Sequence, residues 1–224
     1  HGPGSIKWEP QASTGEGTSV GRRALVLLQR DRLTISNTRD WLQDRQFNFH
    51  LHMEIGRAKD IERAVRIVTG TATGLVFGGG AARGVAALGV FKALVEGGVE
   101  IDWVGGTSIG SIMAAAVAAG WEPGRAIDTC RKAFGDFTIP VVSLLRGKRM
   151  KRLLLAYLDY QIENLALPYF CVSTNLGRGI KNIHERGSLV DAMRASAALP
   201  GVLPPVVVDG ELSIDGAVLD NLPV

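Results

Sequence analysis

A short apolar run that ends in a glycine–serine–glycine turn constrains the fold of this chain more than any other stretch. Residues 101–104 are apolar except for Asp102 and predict the end of a buried strand. Gly106, Ser108 and Gly110 follow as a Gly-x-Ser-x-Gly turn, in which the glycines remove β-carbons that would clash. Residues 109–119 are apolar almost all round, which predicts a helix buried on every side. A strand, a sharp turn and a helix form the setting in which a serine hydroxyl is exposed as a nucleophile.

A glycine-rich loop lies one predicted strand before this turn. It joins a predicted strand over residues 73–77 to a predicted helix over residues 85–96. With the strand at 101–104 these elements form a βαβ unit, so we expect a parallel sheet covered by helices. The loop does not fit a nucleotide, because Val85 replaces the lysine of a Walker loop and Arg83 the last glycine of a dinucleotide fingerprint. The alternative is a row of backbone N–H groups that bind an oxyanion.

The order of residues along the chain predicts which base activates the serine. A serine nucleophile requires a base within hydrogen-bond reach. Histidines occur at positions 1, 50, 52 and 184, and none follows Asp215, although the histidine of an α/β-hydrolase triad comes last. His184 lies in a polar stretch that we expect to be exposed, and Asp209 belongs to the tip of a predicted hairpin. The sequence therefore predicts a Ser–Asp dyad in which Ser108 is the nucleophile and Asp215 is the base.

The region before residue 73 predicts strands over residues 24–28 and 47–55, a short helix capped by Thr38, and an amphipathic helix that follows them. Residues 47–55 alternate in hydrophobicity, which places His50 and His52 together on the polar face of a strand. Because no third ligand stands at a useful spacing, we interpret them as exposed histidines and predict no metal site. Asp60 is the predicted N-cap of an amphipathic helix. The apolar face of that helix consists of Ile61, Ala64, Val65 and Val68.

Three segments follow from these patterns. Residues 1–5 are interpreted as a remnant of an expression tag and are set aside. Residues 6–72 form an N-terminal extension that packs on the catalytic domain, and residues 73–224 form that domain.

Composition excludes some partners and locations. The net charge of +3 is too small to indicate a nucleic-acid-binding protein. Cys130 and Cys171 lie in apolar surroundings with no disulfide framework, which favours a reducing compartment and a cytoplasmic location. No apolar stretch reaches the ~18 residues of a membrane span.

A basic segment offers a second route to a membrane. Its cationic residues are followed by the apolar run at 153–158, a pattern that suits contact with an anionic membrane surface. A solvated start of a helix, followed by a face that packs in the core, fits the same residues. The cationic residues are Arg146, Lys148, Arg149, Lys151 and Arg152.

Three blocks of this sequence resemble those of the patatin-like phospholipases. They are residues 78–84, residues 106–110 and Asp215-Gly216-Ala217, in that order and spacing. Further patterns of that family are matched by Ala195-Ser196, by residues 199–201 with residues 204–205, and by residues 221–223. Within it, the chain resembles more closely the branch of the neuropathy target esterases, in residues 50–52 and 60–70 before the domain and in residues 75–110.

The resemblance implies an α/β fold: a three-layer α/β/α domain with a mainly parallel central sheet, preceded by an N-terminal extension. It also implies a hydrolase that cleaves acyl esters of lysophospholipids or phospholipids without a cofactor, through the Ser108–Asp215 dyad. Implied oxyanion-hole donors are the N–H groups of Gly79, Gly80, Ala81 and Ile109. The residues that carry the motifs are Gly78, Gly79, Gly80, Arg83, Gly84, Gly106, Gly110, Gly216 and Ala217.

Two departures from the family pattern leave alternatives open. Ala81 replaces the fourth glycine of the usual run, which keeps the N–H but restricts φ. The family continues past its third block with a further helix and strand, so we expect the domain to extend beyond Val224. An acyltransferase with the same acyl-enzyme, or a catalytically silent lipid-binding domain, would carry the same motifs.

Overall fold

The computed structural model describes residues 23–31, 35–43, 45, 47–80, 84, 86–134 and 143–224. The expected tag remnant lies outside these residues, as do Ala81, Arg83 and Val85 of the glycine-rich loop. The strands are β1 (Ala24–Gln29), β2 (Phe49–Glu54), β3 (Gly74–Phe77), β4 (Trp103–Thr107), β5 (Tyr169–Asn175), β6 (Ile180–His184), β7 (Val206–Val208) and β8 (Glu211–Asp215). The helices are α1 (Thr38–Leu42), α2 (Ala58–Thr69), α3 (Ala87–Glu96), α4 (Ile109–Ala118), α5 (Pro123–Phe134), α6 (Ser143–Leu158) and α7 (Leu189–Ser196).

Six strands form the central sheet, in the order β3-β4-β5-β8-β7, with β6 also paired to β5. β3, β4 and β5 are parallel to one another, and α3 connects β3 to β4, so the predicted βαβ unit is confirmed. β6, β8 and β7 join the sheet in antiparallel pairings. β7 and β8 form the predicted hairpin, whose tip residues Asp209 and Gly210 have φ angles of 50° and 78°. Positive φ at both central residues is the requirement of a type I′ turn.

β4 and β8 run toward each other along the same edge of β5. Thr107, the last residue of β4, pairs with Val172, and Asp215, the last residue of β8, pairs with the next residue, Ser173. β6 occupies the opposite edge of β5 over residues 171–175. Because both strands end at the same point, the residue that follows Thr107 lies beside Asp215.

Helices α3 to α7 share one hydrophobic core with a single face of the sheet. That face contributes Leu75, Phe77, Val104, Tyr169 and Cys171, which alternate along their strands. α4 is buried on every side from Gly110 to Ala118, as its sequence predicts. The α/β class is confirmed. Within the described residues these helices cover one face of the sheet, and the other face carries the half-buried side chains of Val76, Trp103 and Phe170.

Helix α2 is oriented opposite to the prediction. Its predicted apolar face is turned outward, with Ile61 and Val65 each 55% exposed and Val68 73% exposed. Asp60 is not the N-cap, because the helix already begins at Ala58 and Asp60 is buried within its first turn. Asp60 Oδ2 accepts the N–H of Glu54, and Arg63 Nη2 donates to the carbonyl of His52. The polar face of α2 therefore satisfies backbone groups of β2, which is why it faces inward.

A partly buried ion pair joins α2 to Asp102, the residue before β4. Arg66 donates from Nε and Nη2 to the two carboxylate oxygens of Asp102, at 2.9 and 2.7 Å. Asp102 also accepts the N–H of Thr73, and its side chain is fully buried. Burial by itself raises the pKa of Asp102, but the hydrogen bonds from Arg66 and Thr73 bring it below its ordinary value. The carboxylate is thus held in its charged form.

The two histidines of β2 are not the exposed pair that the alternation predicts. His52 is buried and His50 is half-buried, and a ring nitrogen of each lies about 3 Å from the carbonyl oxygen of Glu163 (3.1 Å for His50 Nε2, 2.9 Å for His52 Nε2). Gln29 contacts the second nitrogen of His52 at 3.1 Å. These imidazoles join the extension to the short 3-10 helix over Ile162–Asn164.

Candidate active site

Ser108 stands at the sharp turn between β4 and α4. Its φ of 56° and ψ of −126° lie in a region that non-glycine residues rarely adopt, at a cost of about 1–3 kcal/mol. A β-carbon on Gly106 would clash with the backbone of Gly110, and one on Gly110 would overlap the backbone of Phe77. The turn is therefore possible only with glycine on both sides of the serine, and it holds the half-buried Ser108 in a strained conformation.

Asp215 lies within direct hydrogen-bond reach of Ser108. Ser108 Oγ donates to Asp215 Oδ2 at 2.7 Å, and the N–H of Ala217 donates to Oδ1 at 2.9 Å. The Asp215 side chain is 1% exposed. Burial raises the pKa of Asp215, and the hydrogen bonds from Ser108 and Ala217 partly oppose that shift. A carboxylate with a raised pKa is a stronger base than an exposed one, and it points at the hydroxyl that would need activation.

The glycine-rich loop packs directly against this pair. A β-carbon on Gly79 would lie 3.2 Å from Cβ of Ser108 and 3.6 Å from Cβ of Ala217, so the loop backbone reaches both motif partners. Asn221 contacts both backbone polar groups of the same glycine. Its backbone carbonyl accepts the N–H of Gly79 at 3.1 Å, and its side-chain amide nitrogen lies 3.5 Å from the carbonyl oxygen of Gly79. The three sequence blocks thus meet at one place, at the ends of β3, β4 and β8.

The structure narrows the set of expected oxyanion-hole donors. Gly79 N–H is already bonded to Asn221, so it is not free for a ligand. Ala81 lies outside the described residues. Within the part of the chain that the structure describes, the N–H groups of Gly80 and Ile109 have no protein acceptor. Ile109 is the first residue of α4, where unpaired N–H groups and the helix dipole favour an anion.

His184 is placed differently from the prediction. It is 8% exposed rather than solvated, and its Nε2 lies 2.7 Å from Oγ of Ser173. Burial lowers the pKa of His184. Its hydrogen-bond partner is Ser173, whereas the contact to Ser108 Oγ comes from Asp215.

Polar side chains to which the sequence analysis assigned no role hold the backbone around Ser108. Ser196 Oγ accepts the N–H of Ser108 at 2.9 Å, and Ser111 Oγ donates to the carbonyl of Ser108 at 2.6 Å. Tyr169 donates from its hydroxyl to the carbonyl of Ser111, and Thr107 donates to the carbonyl of Asp220. Ser196 was visible only as part of a family pattern, and the other contacts leave no local signature in the sequence.

Residues 75–224 match the family model described as patatin-like phospholipase. The match covers the sharp turn at Ser108, the glycine-rich loop and Asp215, and it spans more than half of the chain. The chain belongs to the patatin-like phospholipase family. The resemblance drawn from the three sequence blocks is thereby confirmed.

Several proteins related to this patatin-like chain are long. An uncharacterized NTE family protein of Mycobacterium tuberculosis is 44% identical over 165 residues, which cover 70% of this chain and 28% of that protein. Lysophospholipase NTE1 of Kluyveromyces lactis is 39% identical over 74% of this chain and 12% of its own length. Patatin-like phospholipase domain-containing protein 6 of Mus musculus is 41% identical over 75% of this chain and 13% of its own length. The chain therefore spans about an eighth to somewhat over a quarter of these relatives.

Among solved structures, VipD from Legionella pneumophila superposes with a TM-score of 0.48 at 16% identity, over 68% of this chain and 47% of that one.

Proposed function

We propose that this patatin-like domain is a serine hydrolase that cleaves the acyl ester bonds of lysophospholipids and phospholipids through an acyl-enzyme. The observation that carries the proposal is the 2.7 Å hydrogen bond from Ser108 Oγ to the buried carboxylate of Asp215, made at a strained strand-to-helix turn. The names of its relatives support the substrate class, because NTE1 of Kluyveromyces lactis is a lysophospholipase.

In the proposed first half-reaction, Asp215 accepts the proton of Ser108 as Oγ attacks the ester carbonyl carbon. The N–H groups of Gly80 and Ile109 are the candidate donors to the resulting oxyanion. When the tetrahedral intermediate collapses, the ester C–O bond breaks, and Asp215 returns the proton to the departing lipid alcohol. The fatty acyl group stays on Ser108.

In the second half-reaction, water takes the place of the lipid alcohol. Asp215 accepts a proton from water as the oxygen attacks the acyl carbon, and Oγ of Ser108 leaves and recovers that proton. The products are a free fatty acid and the original dyad. One carboxylate thus acts first as general base and then as general acid in each half-reaction.

The proposal is tested by incubating the chain with lysophosphatidylcholine and measuring released fatty acid. We expect turnover by the unmodified chain and none above background by Ser108→Ala, because the acyl-enzyme requires Oγ. Far-UV circular dichroism of both proteins checks that the variant is folded. Equal release of fatty acid by the two folded proteins would contradict the proposed function.

We further propose that α6 contacts an anionic membrane surface. Met150, Leu154 and Leu158 pack in the core at helical spacing, so the opposite side of α6 faces outward. That side exposes the cationic side chains together with Leu155, and the four cations form no ion pair within the described residues. These cations are Lys148, Arg149, Lys151 and Arg152. None of the helices described is long and apolar enough to cross a membrane.

Vesicle binding tests the membrane contact. We expect binding to anionic phosphatidylserine vesicles to weaken as salt rises, since screening shortens the reach of exposed charges to about 8 Å at physiological ionic strength. Arg149→Glu with Arg152→Glu should weaken it further. Lys59→Glu with Lys92→Glu makes the same change in net charge on other elements and should have a smaller effect. Binding that is insensitive to salt, or equal in both double variants, would contradict this contact.

A further inference from the structure

A single turn at the end of α7 holds both members of the dyad by their backbones. Ser196, the last residue of α7, accepts the N–H of Ser108 with its side-chain hydroxyl at 2.9 Å. Two residues later, the carbonyl of Ala198 accepts the N–H of Asp215 at 3.0 Å. Ser196 is fully buried and Ala198 is 1% exposed, so both acceptors are shielded from water. This turn therefore holds the backbones of Ser108 and Asp215 relative to each other, in addition to the pairing of β4 and β8 with β5.

The bond to Ser196 is made by a residue whose backbone conformation is unfavourable by itself. A φ of 56° is unfavourable for serine, and such strain persists only when surrounding contacts hold it. Ser111 holds the carbonyl of Ser108 at 2.6 Å, and Ser196 holds the N–H. The peptide groups on both sides of the strained residue are thus fixed by hydroxyl groups.

We infer that Ser196 is a positioning residue for catalysis, one that keeps Ser108 Oγ aimed at Asp215 by binding the Ser108 N–H. This inference rests on the proposed function of the dyad. It also assigns the Ser108 N–H to Ser196 and not to a substrate oxyanion, which leaves that task to other N–H groups. Ser196 itself touches no reacting atom in this arrangement, and it acts through Ser108.

The test measures how fast a fluorophosphonate reagent labels the chain in Ser196→Ala. The variant leaves the buried N–H of Ser108 unpaired and lets the strained turn relax, so we expect the labelling rate constant to fall about 10- to 100-fold. The final labelled fraction should still reach that of the unmodified chain, because Ser108 and Asp215 remain. With lysophosphatidylcholine, kcat should fall by a similar factor while KM stays within about twofold, since no substrate contact is removed.

Ser213→Ala is the matched control. Ser213 is fully buried like Ser196, but its hydroxyl has no hydrogen-bond partner among the residues that the structure describes. The same loss of a buried hydroxyl should leave the labelling rate unchanged there. A labelling rate in Ser196→Ala equal to that of Ser213→Ala would overturn the inference.

A second pair of variants decides the question if Ser196→Ala does not fold. Thr and Val have nearly the same shape and differ by the hydroxyl, so Ser196→Thr and Ser196→Val impose the same added methyl on the site. We expect Thr to label at least tenfold faster than Val. Equal rates would overturn the inference. If the unmodified chain is not labelled at all, the proposed function fails instead, so the two failures are distinguishable.

Discussion

Replacing Asp215 by Asn removes the proposed base while changing almost nothing in size. In the structure, Asp215 Oδ1 accepts the N–H of Ala217 and Oδ2 accepts the hydroxyl of Ser108. An asparagine can accept only with its carbonyl oxygen, and the N–H of Ala217 donates its hydrogen bond to that oxygen. The amide NH₂ then faces Ser108 Oγ and donates to it, so the direction of the 2.7 Å hydrogen bond is reversed. The hydroxyl has lost its proton acceptor, and we expect kcat/KM to fall about 10²- to 10⁴-fold.

The same substitution should not weaken the fold. Burial raises the pKa of Asp215, which means that its ionised form is less stable in the folded chain than in the unfolded one. Removing that charge at pH 7 should leave the melting temperature unchanged or slightly higher. The assay is fatty acid release from lysophosphatidylcholine over a range of pH, alongside thermal unfolding followed by circular dichroism.

Two controls separate the dyad from a histidine mechanism. Asp209→Asn changes a turn residue at φ 50°, a conformation that asparagine tolerates, and should keep activity. His184→Gln should keep most activity, and the decline of kcat/KM on acidification should still follow the raised pKa of Asp215. Retained activity in Asp215→Asn, or its loss in a folded His184→Gln, would refute the assignment of the base.

Two further predictions concern stability and the glycine-rich loop. Arg66→Ala leaves Asp102, whose side chain is 0% exposed, as a buried charge without its cation, so the free energy of unfolding should fall by about 3–5 kcal/mol. Lys59→Ala breaks the ion pair with Glu100, whose side chains are 63% and 44% exposed, so the free energy of unfolding should fall by less than about 1 kcal/mol. Equal losses for the two variants in urea unfolding would contradict the greater importance of the Arg66–Asp102 pair. Because the pKa of Asp102 is lowered, the contribution of this pair is present above pH 3.8 and is lost as pH falls through the lowered value. Gly79→Ala would place Cβ 2.5 Å from Oδ1 of Asn221 and 3.2 Å from Cβ of Ser108, so kcat/KM should fall about 10²-fold. Gly124→Ala is the control, because its Cβ would meet nothing within 4 Å, and it should leave kcat/KM unchanged. Equal activity in the two variants would contradict the packing of the loop against Ser108.

Local patterns predicted the parts of this fold that depend on neighbouring residues in the chain. The sharp turn at Ser108 follows from Gly106 and Gly110, where a β-carbon would overlap the backbone. The hairpin follows from Asp209-Gly210. The proposed dyad rests on chain order, because no histidine stands after Asp215. What no local pattern contained is the register along β5 that ends β4 and β8 at adjacent residues. That register is what brings Ser108 and Asp215 together.

The errors in the extension have a common physical cause. A periodic pattern shows which residues share a face, but it does not show which face finds a partner. On α2 the backbone groups of β2 required hydrogen bonds, and Asp60 and Arg63 supplied them, so the apolar face was left outside. On β2 the histidines found the carbonyl of Glu163, more than a hundred residues away. The role of Ser196 was hidden for the same reason, since its partner is 88 residues distant.

The most direct test of the central claim is to find which residue a fluorophosphonate reagent modifies. The chain is labelled, digested with a protease, and the site of the phosphonyl adduct is located by tandem mass spectrometry. We predict one adduct on Ser108, with no labelling in Ser108→Ala and a strongly reduced labelling rate in Asp215→Asn. An adduct on another serine, or labelling of Ser108→Ala at the rate of the unmodified chain, would contradict it.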